Sequence, residues 1–453
     1  MLTYELKKAP GMPLYEALYR CIREDILTGA LPAGTKLPSK RALAANLEVS
    51  KITVEGAYNQ LLSEGYIQSR EKVGYFVEAL ESISQPAPGC APPAENKSAL
   101  LDLSVGGLAR FPFSVWSKLQ REVMLDLGQQ LLLPLPNQGL WELRVAIAEH
   151  LAQFRGMQVS PGNILIGAGT DFLYNLLIQL LGRNKRYAVE EPGYGKIRKI
   201  YAAGGVDCVS APLDKKGVIP EALNNAQVLH ISPSHHFPTG IITPVDRRQA
   251  LLQWANEGDR FIIEDDYDSE FRFNAHPMAA MYSMAPQGRV IYMNTFSRTL
   301  APSIRISYMV LPDKLMAAFQ KNLGFYSCTV PSFEQYTLAR FLSRGHFEKH
   351  LNRMRKFYKS RRNRVLNAIE TCKYADRLTI LEENAGLHFL LKVDTALSDE
   401  ALIGQCRDMG LDMRTLGSYY HDTPNHTDTH CLVVNYSGLS DSDLDRLEAI
   451  LKA

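Results

Sequence analysis

The sequence predicts an α/β protein in two parts. A small helical unit ends in a two-stranded wing, and a large unit is built on a mostly parallel sheet with a small C-terminal subdomain. Three observations carry this prediction. Apolar residues recur at helical spacing through the first 80 residues. Residues 82–98, SISQPAPGCAPPAENKS, are rich in Pro, Ala and Ser and have no helical or strand period, so they read as a linker. From about residue 100 to 330, strand-like apolar runs alternate with helical patterns, as in a sheet covered by helices. The predicted boundaries are therefore 1–80, 81–99 and 100–453.

Composition narrows the function classes. At 453 residues the chain has room for about three folding units. Apolar residues make up 46% and charged residues 22%, ordinary for a globular protein that needs no staples. The net charge is +2, so any nucleic-acid surface is a local patch. Seven cysteines at 21, 90, 208, 328, 372, 406 and 431 form no C-x-x-C pair. This argues against a disulfide framework or zinc module and for a reducing compartment. No apolar run spans a bilayer and the N-terminus lacks an apolar signal core, so a cytoplasmic protein with no membrane partner is expected.

The first helix places Leu14, Leu18, Ile22 and Ile26 on one face and stops at Gly29 and Pro32. A second starts after Pro38 with Ser39 as N-cap and carries Leu43, Ala44 and Leu47. After a break at Glu48-Val49, Ser50 caps a third helix bearing Ile52, Val54, Ala57, Tyr58, Leu61 and Leu62, closed by Gly65. Tyr66-Ile67-Gln68 and Tyr75-Phe76-Val77 flank a turn with Gly74. Two short helices around a tight break, followed by a β-wing, are a winged helix-turn-helix pattern. In it the third helix lies in the major groove, with Lys51 and Thr53 toward the DNA. Lys40 and Arg41 open the preceding helix, where cations and amides meet phosphates, and Arg70 and Lys72 sit on the wing. The plainer alternative is a solvated charged face; the clustering at two helix starts and the wing tip favours DNA.

In the large region, ligands are expected at the carboxyl ends of strands. Gly167-Ala168-Gly169-Thr170 follows one strand and opens a helix, a natural phosphate cradle. Glu264-Asp265-Asp266-Tyr267-Asp268 follows Phe261-Ile262-Ile263. Such acids are costly unless each has a cation or solvent, and they read as a metal site, as one Asp facing a protonated pyridine nitrogen, or as helix caps and surface acids. A run from Met293 to Pro302, then Arg305, offers hydroxyls and cations suited to a phosphate and a ring substituent. No histidine has H-E-x-x-H spacing, so no metal site is expected; His235 or His236 is expected to approach the pocket.

Two resemblances sharpen this. Residues 13–77, through LPSKRALAANLEVSKITVEGAYNQLLSEGYIQS and VGYFV, resemble the GntR-type DNA-binding domain. LWELRVAIAEHL (140–151), GAGTDFLYNLL (167–177), VEEPGYG (189–195), SPSHHFPTG (232–240), IIEDDYDSEFR (262–272) and NTFSRTLAPSIRISY (294–308) resemble the fold-type I aminotransferases that bind pyridoxal phosphate (PLP). Together they resemble the MocR/GabR family of regulators. That resemblance implies that Asp265 holds the pyridine nitrogen protonated, Tyr267 bonds the ring phenolate oxygen and Tyr194 stacks on the ring. It implies that Gly169, Thr170, Thr295 and Arg305 hold the phosphate. Arg414 and, less so, Arg198 are candidates for an effector carboxylate; a surface role for Arg414 is equally open.

One departure bears on chemistry. The family's cofactor-bonding lysine falls at Arg298, 33 residues after Asp265. A guanidinium stays protonated and offers no lone pair to an aldehyde. Covalent PLP and turnover are therefore not expected, although PLP could bind noncovalently. The segment Leu133–Gly139 also lacks the tyrosine that related enzymes place near the partner's cofactor.

The expected protein is a homodimeric regulator that binds operator duplex DNA and senses PLP, a small amine or amino acid, or their adduct. The rival readings are an aminotransferase with a DNA-binding appendage and a PLP-free dimerisation scaffold. The basic stretch 344–364 reads first as a solvated face of a long connecting helix and second as an extra DNA contact.

Overall fold

The computed structural model describes residues 2–4, 13–71, 73–79, 101–103, 110–273, 279–285, 288–382, 386–421 and 429–452. Lys72 and the expected linker, 81–99, lie outside the described residues. The chain forms two compact units, Met1–Asn96 and Lys97–Ala453.

In the first unit, α1 (Leu14–Leu27) buries Leu18, Ile22 and Ile26 along one stripe. Helix α2 (Lys40–Asn46) starts at Ser39, whose Oγ accepts the Ala42 N–H at 3.2 Å. Helix α3 (Lys51–Ser63) starts at Ser50, whose Oγ accepts the Thr53 N–H at 3.1 Å. Each cap satisfies an amide the helix leaves open. Val54, Ala57, Tyr58 and Leu61 of α3 are fully buried. Gly65 then takes φ +75°, the left-handed conformation that ends a helix. Strands β1 (Ile67–Arg70) and β2 (Gly74–Val77) pair antiparallel, with buried Ile67 opposite buried Val77.

The second unit begins with α4 (Phe113–Leu127) and α5 (Trp141–Arg155). An α/β run follows: β3 (Ile164–Gly167), α6 (Thr170–Leu181), β4 (Tyr187–Glu191), α7 (Gly195–Ala203), β5 (Cys208–Asp214), β6 (Val228–Ile231), α8 (Val245–Asn256), β7 (Phe261–Asp265), β8 (Val290–Thr295) and β9 (Ser307–Val310). The sheet order is β3-β9-β8-β7-β6-β4-β5, with Gly217–Val218 on the far edge. Neighbours from β8 to β5 run parallel, whereas β9 is antiparallel to both β8 and β3. The expected mostly parallel sheet is found, with β9 as the reversed strand between β3 and β8. Strands β3, β6, β8 and β9 are buried throughout, as a sheet covered on both faces requires.

Helices α9 (Asp313–Leu323), α10 (Ser332–Ser343) and the 25-residue α11 (His346–Glu370) lead to the C-terminal subdomain. Its antiparallel sheet has the order β10-β11-β13-β12, where β10 is Leu378–Leu381, β11 His388–Val393, β12 Arg414–Thr415 and β13 Cys431–Asn435. Helices α12 (Asp399–Asp408) and α13 (Asp441–Lys452) complete it. The basic stretch on α11 is not simply solvated. Arg361 and Arg362 are buried. Arg361 pairs with Asp441 at 3.0 Å, and Arg364 with Asp445 at 2.8 Å and Glu448 at 2.7 Å, tying α11 to α13. Arg355 donates to the Glu270 carbonyl at 2.7 Å. Lys349, Arg353, Lys356 and Lys359 remain exposed.

Candidate functional site

A cavity of about 350 Å³ opens at the carboxyl ends of the parallel strands. Its wall brings together Thr170 at the start of α6, Tyr194 and Arg198 from the β4–α7 connection and α7, Asp265 at the end of β7, Tyr267, Thr295 at the end of β8, Arg298 and Arg305. Gly169 stands directly behind this wall. It has φ +90°, and a Cβ there would lie 2.2 Å from Arg305 Nη2, so only glycine lets the guanidinium approach the first turn of α6.

Asp265, on this wall, is 5% exposed. Its Oδ2 accepts the Tyr174 hydroxyl at 2.5 Å and lies 3.4 Å from His230 Nε2. His230 Nδ1 lies 2.7 Å from the Tyr201 hydroxyl. One tautomer satisfies both contacts: Tyr201 donates to Nδ1 and Nε2–H donates to Asp265. Asp265 Oδ1 is buried and has no hydrogen-bond partner among the described residues. Burial, with the nearby Asp265 charge second, pushes the Tyr174 phenol well above its ordinary range, so Tyr174 stays a donor.

Hydroxyls and cations also line the wall. Thr295 Oγ1 receives the Ser307 hydroxyl at 2.8 Å and the Ser297 N–H at 3.1 Å. Arg305 lies 3.3 Å from Asp171 Oδ2, and Lys196 Nζ 2.7 Å from the same oxygen. Four formal cations of the wall (Lys196, Arg198, Arg298, Arg305) face three carboxyls (Asp171, Glu190, Asp265). Burial raises the Glu190 carboxyl to about 8, against the pull of the Ser232 N–H it accepts at 2.9 Å. Near neutral pH Glu190 is therefore mostly protonated, and the wall favours an anionic ligand.

Other expected residues are placed differently. Tyr194 is half exposed and meets Phe237 edge-on, with ring centroids 6.0 Å apart. Tyr267 lies 3.3 Å from His235 Nδ1, and burial beside Asp268 raises its phenol. Arg198 reaches the wall but donates to Ser210 Oγ at 2.9 Å. Arg414 is exposed on β12 and does not line the cavity. Neither His235 nor His236 lines it: His235 bonds Asp268 at 2.9 Å and His236 meets Thr239 at 2.7 Å. His230 and His421 occupy the wall instead. The neighbouring acids each have a partner, although Asp266 Oδ1 and Glu270 Oε2 are, like Asp265 Oδ1, buried without one among the described residues; of the three acids only Asp265 lines the cavity. Asp266 pairs with Arg155 at 3.0 Å, Glu264 accepts the Met281 and Tyr282 N–H groups, and Glu270 accepts from Asn294. Among the described residues no group of three or more His, Cys, Asp or Glu is placed to hold a metal.

On the first unit, Ser39, Arg41, Ser50, Lys51 and Arg70 are exposed, while Thr53 is half-buried with its hydroxyl 2.8 Å from Ser50 Oγ. Lys40 is turned inward, 2.8 Å from Glu55 and over the Tyr75 ring. Arg70 stacks on Phe76 at 4.6 Å.

Comparison with known proteins agrees with both units. Residues 14–77 match the family of bacterial regulatory proteins called gntR. The HTH-type transcriptional regulator YdeL of Bacillus subtilis is 37% identical over 98% of this chain and 97% of its own length. The probable rhizopine catabolism regulatory protein MocR of Rhizobium meliloti is 31% identical over 96% of this chain and 92% of its own. The chain belongs to the MocR-type regulators of the GntR group. This MocR-type chain carries an aminotransferase-like unit: Pyrococcus horikoshii kynurenine aminotransferase superposes with a TM-score of 0.67, covering 78% of this chain and 90% of that one at 24% identity. That likeness shows the fold. Among the described residues, no helix of the regulator is long and apolar enough to cross a membrane.

Proposed function

We propose that the winged unit reads operator duplex DNA and that the aminotransferase-like unit is a receptor for PLP, a small amine or amino acid, or their adduct, bound without a covalent link to position 298. The proposed protein is a cytoplasmic homodimer whose two units are tethered by residues 81–99. It is proposed to regulate rather than to turn over substrate.

One observation supports the receptor reading above the others: Asp265. A buried carboxylate oxygen without a donor is unfavourable, and Oδ1 is such an oxygen while Oδ2 is held by Tyr174 and His230. A protonated pyridine nitrogen supplies the missing donor. The cradle of Gly169, the α6 amides, Thr170, Thr295 and Arg305 suits a phosphate, and the residues present fit the cofactor. PLP, when bound, supplies an aldehyde and an electron-withdrawing ring. The chain's own groups bind and orient. Asp265 would keep a proton on the ring nitrogen, Tyr267 would donate to the ring oxygen, and Tyr194 would pack against the ring. Arg298 contributes a permanent cation with no free lone pair. Arg198 is the proposed partner of an effector carboxylate, a reading supported by its position in the cavity lining, which Arg414 lacks.

Titrating the full chain with PLP, followed by absorbance and equilibrium dialysis, tests this. Reversible binding is expected, weakened about tenfold or more by Asp265→Asn, the scale of a lost hydrogen bond to a charged group. No binding at excess PLP, or measurable transamination by the unaltered chain, overturns it.

A further inference from the structure

The apolar residues of α3 divide sharply. Val54, Ala57, Tyr58 and Leu61 are fully buried, whereas Ile52, the second residue of the helix, is 80% exposed. An isolated exposed aliphatic is usual on a protein surface. This one stands in the first turn of the helix that the winged pattern lays in the major groove, where side chains meet base edges. Its surroundings are those of a DNA-facing surface. Lys51 beside it is exposed, as is Arg41 at the start of α2, and Asn59 two turns on shares the exposed side of the helix. Glu55, one turn beyond Ile52, is paired with Lys40 at 2.8 Å, which offsets the repulsion its carboxylate would exert on phosphates. Arg41 and Lys51 supply positive charge that attracts the phosphates.

We infer that Ile52 is a specificity-determining residue that packs against a thymine C5-methyl in the major groove of the operator. Of the base-edge groups in that groove, the thymine methyl is the apolar one, and aliphatic contact is how it is read. The inference goes beyond DNA binding by the winged unit, because it assigns a base and the atom recognised.

The test uses the full chain. Duplexes are selected from a random library with the unaltered protein, and in the selected duplex each thymine is replaced in turn by deoxyuridine, which removes only the methyl. At one thymine per half-site, affinity is expected to fall about fourfold, the worth of one buried methyl. Ile52→Ala is expected to bind the parent duplex more weakly, to lose nothing further at that deoxyuridine, and to keep the unaltered protein's salt dependence, since no phosphate contact has changed. Thermal unfolding checks that Ile52→Ala is folded, and Ile52→Val, which keeps branched methyls, is expected to keep most of the discrimination. The inference is overturned if no thymine methyl distinguishes the unaltered protein from Ile52→Ala, or if Ile52→Ala changes the oligomeric mass and leaves DNA affinity untouched. If the unaltered protein selects no duplex at all, DNA reading by the winged unit fails as well, and the two failures are told apart.

Discussion

At the scale of single residues, the wall of the cavity mixes what a linear motif can show with what only folding assembles. Asp265, Tyr267, Thr295 and Arg305 follow strand ends, where α/β sheets gather ligands, so their meeting in one cavity was legible. Tyr174 and His230 were not. Each sits in an apolar run and reads as core; their contacts to Asp265 span 91 and 35 residues of sequence. Glu190 is a third case, since its shift arises from burial that no local pattern encodes. Its folded pKa, about 8, lies above the ordinary 4.5. It therefore contributes stability that is fully present below 4.5 and is lost as pH rises toward 8. Glu190→Gln should remove that loss: its melting temperature should gain on that of the unaltered protein as pH rises through this window, and parallel curves would contradict the assignment. Arg298 gives a second expectation. Arg298→Lys restores an amine that can bond an aldehyde, so mass spectrometry after borohydride treatment with PLP should find label on Lys at 298 and none on the parent; an unlabelled variant would show that the cavity is misassigned.

At the scale of elements, the winged unit was the most legible, because capping is local chemistry. Ser39 and Ser50 sit where Ser before an apolar period places a helix start, and both accept the amide three residues on. Ser50→Ala is expected to destabilise this unit by about 1 kcal/mol, measurable by denaturant unfolding. It should also weaken DNA binding by loosening the first turn of α3. The pairing of the α11 arginines is hidden in the sequence for the opposite reason. These arginines look like a solvated stripe, yet the acids that neutralise Arg361 and Arg364 lie 80 or more residues away on α13. Charge partners between distant elements leave no mark on a single helical period.

For the whole molecule, a net charge of +2 means that DNA affinity depends on the few cations displayed together. Affinity for the selected duplex should fall steeply with salt, and Arg41→Ala or Lys51→Ala should each reduce the slope of log affinity against log salt by about one phosphate contact. Unchanged slopes in both would remove Arg41 and Lys51 from the interface. The two-part organisation was visible from composition alone, whereas the reversed direction of β9 was not, since a buried strand reads alike in either direction. That reversal bears on how the proposed receptor changes over time. Because β9 returns beside β8, the twelve-step bend from Thr295 to Ser307 delivers Thr295, Ser297, Arg298 and Arg305 to the same pocket. An insertion or deletion within this one bend would displace Ser297, Arg298 and Arg305 in concert, while Thr295, the last residue of β8, stays with the sheet, so the proposed ligand response can be won or forfeited in a single mutational event.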